Sequence, residues 1–196
     1  MRPVPPKMAE KVMAAADLFA ERGLDGTKTE DIAAATGIPK ATLYYYFEGK
    51  EQVLSFIFGV VLDAVEGAVR GALASPGNAP ERMQRMIKAH LQVFADYPRA
   101  SQALHFDLGR AARLPDVADR SSSAFIEPVT ELIREGMRDG SFRQVAQPRL
   151  AAVAVLGAIS TTAIHVIALE VDDALDELVD VVSDLVLDGM LAEVRQ

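Results

Sequence analysis

Apolar residues recur at helical spacing along almost the whole chain, as in Met8, Val12, Ala15 and Phe19, and no alternation of apolar and polar positions is sustained. The pattern predicts an all-α protein. Chain breakers divide it into about nine helices, since glycine and proline interrupt the helical backbone. Arg22-Gly23 ends the first, Gly37 and Gly49 punctuate two short ones, and Ser75-Pro76-Gly77-Asn78 ends a long one. Further breaks fall at Tyr97-Pro98, Leu114-Pro115, Asp139-Gly140 and Gln147-Pro148, with a last polar break near Glu170 to Asp173. No internal repeat or low-complexity segment interrupts this plan.

From Leu150 to Leu169 the chain has no charged residue, a stretch long enough to cross a bilayer. It is rich in alanine, contains Ser160, Thr161, Thr162 and His165, and is followed by an acidic amphipathic helix. A buried helix is therefore expected in preference to a membrane span. The last helix repeats apolar residues at Val171, Leu175, Leu178, Val182 and Leu185, with a second row at Val179, Val186 and Met190. Two rows call for two partners: the preceding helix and a symmetry mate, giving a four-helix homodimer interface in which charge at Leu178 or Val182 is disruptive. The alternative is that both rows face one intramolecular core.

The segment from Thr27 to Lys50 follows a different plan, two short helices joined by a tight turn. Thr27 and Glu30 are spaced as a capping box. Ile32 and Ala33 face inward, Gly37 supplies a left-handed turn, Ile38 plugs the core beneath it, and Pro39 suits the start of the next helix. In that helix Leu43 and Phe47 lie four apart on the buried face. Lys40, Thr42, Tyr44, Tyr45 and Tyr46 face elsewhere. Three adjacent tyrosines on a short helix are poor core material, whereas a tyrosine can touch a thymine methyl with its ring and a phosphate with its hydroxyl. Tyr44 and Lys50 are the residues this reading places on DNA.

Charge qualifies that reading. The chain carries a net charge of −8, unlike a typical nucleic-acid binder. Residues 1–50 hold seven Lys/Arg and seven Asp/Glu, residues 51–149 twelve of each, and residues 150–196 one Arg against nine acids. The whole imbalance therefore lies in the last helices, far along the chain from the tyrosines. The chain contains no cysteine, which excludes disulfides and thiolate metal sites and accords with a reducing cytoplasm. The residues MRPVPPKMAEK at the start lack the apolar core of a signal peptide.

From Met8 to Phe56 the sequence resembles the TetR family of bacterial transcriptional repressors. The likeness lies in Ile32-Ala33, Gly37-Ile38, Thr42-Leu43-Tyr44 and Tyr46-Phe47 followed by Lys50-Glu51. Ala41, where glycine is frequent, and Lys28, where threonine or serine is common, depart from the pattern. The resemblance implies that the helix from Pro39 to Tyr45 enters the major groove, with Lys40, Thr42, Tyr44 and Tyr45 near bases and phosphates. It implies that Thr27, Thr29, Tyr46 and Lys50 hold the phosphate backbone. Residues 1–50 would form a helix-turn-helix domain. Residues 51–196 would form a ligand-binding and dimerisation domain, entered by a long helix in which Gly59, Gly67 and Gly71 serve close packing.

The expected function is a DNA-binding regulator, a repressor released from a palindromic operator by a small apolar effector. The alternatives are an activator with the same head, a helical enzyme and a membrane-associated module. No GxSxG, HExxH, phosphate loop or GxGxxG is present, so no enzyme, cofactor or metal is expected. Phe56, Met86, His90, Phe94, Phe106, Phe125 and His165 are the candidate effector contacts, with Phe58, Met83, Met137, His105, Arg110 and Arg113 as further lining, ordinary core being the alternative for each phenylalanine and methionine.

Overall fold

The structure, a computed structural model, describes residues 2–106, 115–168 and 174–191. The helices are α1 (Pro6–Met13), α2 (Ala16–Gly26), α3 (Thr29–Thr36), α4 (Lys40–Tyr46), α5 (Lys50–Leu73), α6 (Ala79–Asp96), α7 (Pro98–Phe106), α8 (Pro115–Ser121), α9 (Glu127–Asp139), α10 (Pro148–Ala168) and α11 (Ala174–Met190). A π-helical turn, Ser122–Ile126, joins α8 to α9 without a loop, and α1 passes into α2 through two residues of helical backbone. The described residues contain no strand, only an isolated bridge between Phe142 and Leu191. The all-α expectation holds, and the breakers act where they were read. Gly37 and Gly140 adopt left-handed backbone at the ends of α3 and α9, and Gly23 kinks α2. Leu114 and the break near 170–173 lie outside the described residues.

The chain forms two compact units. One contains residues 1–61 with 97–118, the other residues 62–96 with 119–196. This division differs from a cut after residue 50. The first turns of α5 belong to the first unit, and α7 joins it too because its buried Ala100, Ser101 and Ala103 are small enough to pack closely on α2. Arg99 and Asp17 form an ion pair at the edge of that contact. The core of the first unit is built from Val12, Phe19, Ile32, Leu43, Phe47, Ile57 and Phe58, all less than 3% exposed.

In the second unit α6, α9, α10 and α11 pack on one another around Met83, Met86, Ile87, Leu91, Phe125, Val129 and Ile133. Phe142 packs against Gly136 of α9, its amide bonded to the Gly136 carbonyl, while Arg143 bonds to the end of α11 through the Met190 and Gly189 carbonyls. A Cβ at residue 136 would fall 2.2 Å from the Phe142 ring, which is itself buried. Gly136→Ala should therefore destabilise the protein by about 1–3 kcal/mol through overpacking, read as a lowered chemical-denaturation midpoint. An unchanged midpoint would count against this packing.

Two expectations about helix faces are corrected. A Cβ at Gly67 or Gly71 would meet open space, so neither glycine in α5 serves close packing. In α11 the residues Leu178, Val179, Val182, Val186 and Met190 are all buried inside the unit, whereas Val181 and Leu185 are exposed. A row spaced by seven drifts about 20° per heptad around a straight helix, which carries Leu185 past the edge of the stripe that Leu178 begins. Leu178 and Val182 therefore belong to the core of one chain. Val171 lies outside the described residues.

Helix α10 also differs from the buried helix expected. Its inner face carries Ala152, Val155, Ile159, Ala163 and Ile164. Leu150, Val153, Ala154, Gly157, Thr161 and His165 form an exposed stripe at helical spacing. Only 28% of its most apolar window is covered by the chain, against 50% for α5.

Candidate functional site

The helix-turn-helix is built from α3 and α4. Lys28 precedes α3 in extended backbone, and Asp31, not Glu30, accepts its amide hydrogen at 3.3 Å while pairing with Arg22. The cap thus sits one residue beyond the expected Thr27-Glu30 box. At the other end Thr36 donates its hydroxyl to the Ile32 carbonyl at 2.7 Å and accepts from the Ile38 amide at 3.3 Å, closing the turn around Gly37. Sequence reading passed over Thr36. Ile32, Ile38, Leu43 and Phe47 are all buried and fix α4 against the rest of the unit.

With Leu43 inward, α4 presents Tyr44 and Tyr45 outward, 50% and 57% exposed. Lys40 and Ala41 are exposed as well, and Thr42 and Tyr46 are half-buried. The Tyr45 and Tyr46 rings meet edge to face at 4.9 Å, so Tyr46 braces its neighbour. Lys40 is paired with Glu30, and the shared hydrogen bond holds the Glu30 carboxyl below its ordinary range and the Lys40 ammonium above its own. Its ammonium also stands 5.8 Å from the centroid of the Tyr44 ring. Glu30, the second residue of α3, thus competes with any anion for Lys40, a pairing not read from the sequence, which placed Glu30 in a capping box.

Two of the residues assigned to phosphates sit otherwise. Thr27 is fully buried, its hydroxyl donating to the Gly23 carbonyl at 2.7 Å and towards the Leu18 carbonyl at 3.3 Å. No side-chain surface of Thr27 is left for a ligand. Lys50 is half-buried and donates to the Thr27 carbonyl at 3.0 Å and the Asp25 carbonyl at 3.4 Å, so it ties the start of α5 to the end of α2. Thr29, the first residue of α3, is half-buried.

The effector candidates separate into three places. Met86, His90 and Phe94 lie four apart on α6, all buried, and the His90 ring stacks obliquely on Phe94 at 5.5 Å and on Phe125 of the π-helical turn at 4.9 Å. His90 Nδ1 is buried without a hydrogen-bond partner, and burial pushes the imidazole down to about 4. The ring is therefore neutral at physiological pH. Phe56 instead packs on Phe47 in the first unit, at 5.7 Å. Phe106, 64% exposed at the end of α7, and His165, exposed on α10, line no apolar interior. Arg110 and Arg113 lie outside the described residues. No group of three or more His, Asp or Glu able to hold a metal occurs among the described residues.

The family model for bacterial regulatory proteins of the tetR family matches residues 12–55, and that for the tetracycline-repressor-like C-terminal domain matches residues 76–164. A transcriptional repressor of Rhodococcus jostii, KstR2, is 30% identical over 149 residues, covering 74% of this chain and 72% of the relative. The chain belongs to the TetR family. Two solved structures share the fold. The ketosteroid transcriptional regulator KstR2 of Mycobacterium tuberculosis superposes with a TM-score of 0.78 at 23% identity, covering 97% of this chain and 98% of that one. The regulator FadR of Bacillus subtilis, solved in complex with stearoyl-CoA, gives 0.76 at 20% identity, covering 92% and 98%. As a TetR-family member the chain is a DNA-binding transcriptional regulator and not an enzyme. The TetR head match spans both α3 and α4, so the exposed tyrosines fall within it.

Proposed function

We propose that the chain is a dimeric repressor that reads a palindromic operator with α4 and is released by a largely apolar effector bound in its second unit. The observation that carries the DNA reading is the pair of outward tyrosines on a helix anchored by Leu43. Contacts run from Tyr44, Tyr45, Lys40 and Thr42, with Thr29 and Tyr46 at their margin. A duplex selected from a randomised pool by the wild-type protein supplies the test. Tyr44→Ala should weaken that duplex by about tenfold or more, each lost base contact being worth roughly 1–3 kcal/mol, with the melting temperature unchanged. Lys50→Ala is the poorer probe, since it also unties α2 from α5. Full affinity in Tyr44→Ala would show that α4 is not the reading surface.

The effector site is the cluster of Met86, His90, Phe94 and Phe125. An apolar wall around one unpartnered neutral imidazole suits a hydrocarbon body bearing a single carbonyl or hydroxyl. The names of the relatives point the same way, one a ketosteroid regulator and one holding stearoyl-CoA. A hundredfold loss of operator affinity needs about 2.7 kcal/mol of coupling, and operator must weaken the effector by the same factor. Titrating ketosteroids and long-chain acyl thioesters with and without the selected duplex checks this. A compound whose affinity ignores DNA is no inducer.

The exposed stripe of α10 and the outward Val181 and Leu185 of α11 are covered by a second copy, placing His165 at the interface and not in the effector site. A bilayer is the wrong cover for a protein that must reach DNA, so a cytoplasmic homodimer is the reading. Two heads on one axis would then meet half-sites about one helical turn, roughly 34–36 Å, or a multiple apart.

A further inference from the structure

Positive charge is scarce around α4. Residues 1–50 carry as many acids as bases. Three of the seven bases are engaged inside the unit: Arg22 with Asp31, Lys40 with Glu30, and Lys50 with the carbonyls of Thr27 and Asp25. A duplex carries a negative charge about every 1.7 Å of its axis, so a head of zero net charge depends on where its remaining cations stand.

One of them stands on α4. The guanidinium carbon of Arg2 lies 4.1 Å from the centroid of the exposed Tyr45 ring. Arg2 reaches it along a short stiff arm: Pro3 and Pro5 precede α1, which opens on Pro6, and Pro5 has the polyproline backbone angles φ −62 and ψ 147. Little chain entropy remains to be lost when such an arm docks. A guanidinium stacked on a ring has its flat face occupied, while its five N–H donors point outward in the plane. Stacking on Tyr45 thus orders Arg2 without satisfying its donors, and among the described residues it has no carboxylate partner.

We propose that Arg2 is a DNA contact in its own right, docked on Tyr45 so that its guanidinium meets a backbone phosphate at the margin of the site read by α4. The inference rests on α4 being the DNA-facing helix. It makes Tyr45 bifunctional, a contact and a platform. Because a phosphate carries no sequence, Arg2 adds affinity for any duplex, whereas Tyr44 adds discrimination.

Salt titrations of the full chain on the selected duplex and on an unrelated duplex of equal length test this. Arg2→Ala should weaken both duplexes alike, by about threefold to tenfold, and reduce the slope of log affinity against log salt by about one per half-site. Tyr45→Leu should remove the platform, so that Arg2→Ala added to it has little further effect, while Tyr45→Phe keeps the ring and the coupling. An unchanged salt slope in Arg2→Ala overturns the proposal, as does full independence of the Arg2 and Tyr45 effects. The Tyr44→Ala protein separates the two failures. If Tyr44→Ala weakens the selected duplex and Arg2→Ala leaves both duplexes untouched, Arg2 is wrong and α4 stands. If neither weakens it, the reading of α4 fails and Arg2 falls with it.

Discussion

Placing glutamate at Leu185 and Val153 should convert the protein into a folded monomer and weaken the selected duplex by about 10²–10⁴-fold. Both side chains are exposed, Leu185 at 69% and Val153 at 46%, and they lie on α11 and α10, which pack together in the second unit. Neither contributes to the core, so the substituted chain keeps its fold. What it loses is the link between two heads. In a dimer the second head binds at an effective concentration fixed by the geometry of the first, and a gain of that size disappears when the copies separate. Glutamate is chosen because α11 is already acidic, with Glu177, Asp180, Asp184 and Asp188 along it, so a symmetric contact would bring like charges together. Sedimentation measures the oligomer and anisotropy the affinity. A wild-type protein that is monomeric at micromolar concentration, or a double variant that stays dimeric, would remove α10 and α11 as the interface. The same charges at Leu178 and Val182 should unfold the second unit instead, because those residues are buried within it.

That contrast shows where sequence reading succeeds and where it stops. The ends of the helices were legible because glycine and proline act locally: Gly37 and Gly140 take the positive φ that other residues resist, and Pro98 and Pro148 open helices. The buried face of α4 was legible for a similar reason, since Leu43 and Phe47 lie four apart on a short helix. In α11 the same logic failed, because Leu178 and Leu185 stand only about 20° apart around the helix, at the outer edge of the apolar stripe. Which of Leu178 and Leu185 is buried depends on helices α6 and α10, whose positions no local pattern records. The site shows the same division. The outward position of Tyr44 and Tyr45 was legible from residue type and spacing. The settings of Lys50 and Glu30 were not legible because their partners lie ten or more positions away, and that of Thr27 because its partners are backbone carbonyls, which no side-chain pattern records. Among seven effector candidates, only the four on α6 and the π-helical turn assemble, and the turn itself left no mark in the sequence.

Acidification should weaken the folded protein through His90, by about 3 kcal/mol between pH 6.5 and pH 4. Burial alone lowers this imidazole to about 4, and in the unfolded chain it titrates near its ordinary 6.5. Between those values the unfolded state binds a proton that the folded state refuses. The contribution is fully present above pH 6.5 and is lost as pH falls towards 4, which is the direction expected of a histidine whose folded value is depressed. Carboxylates titrate in part of the same range, so the clean quantity is a difference. The stability of wild type minus that of His90→Phe, from urea melts at several pH values, should fall by that amount, and a flat difference would show that His90 is hydrated. The variant should fold, because its ring replaces an imidazole that makes no hydrogen bond and already packs against Phe94 and Phe125. The effector responds to the same proton. A ligand carbonyl or hydroxyl that bonds neutral His90 holds the ring unprotonated, so its affinity should be the same at pH 7.5 and pH 5.5 and decline only as pH approaches 4, and by linkage its binding should lower the histidine further. A carboxylate ligand reverses the sign: it would draw a proton onto His90 and bind more tightly as pH falls. Ligand titrations at pH 7.5 and pH 5.5 therefore report whether the group that meets His90 is neutral or anionic, and tighter binding at the lower pH would exclude a neutral carbonyl as that group.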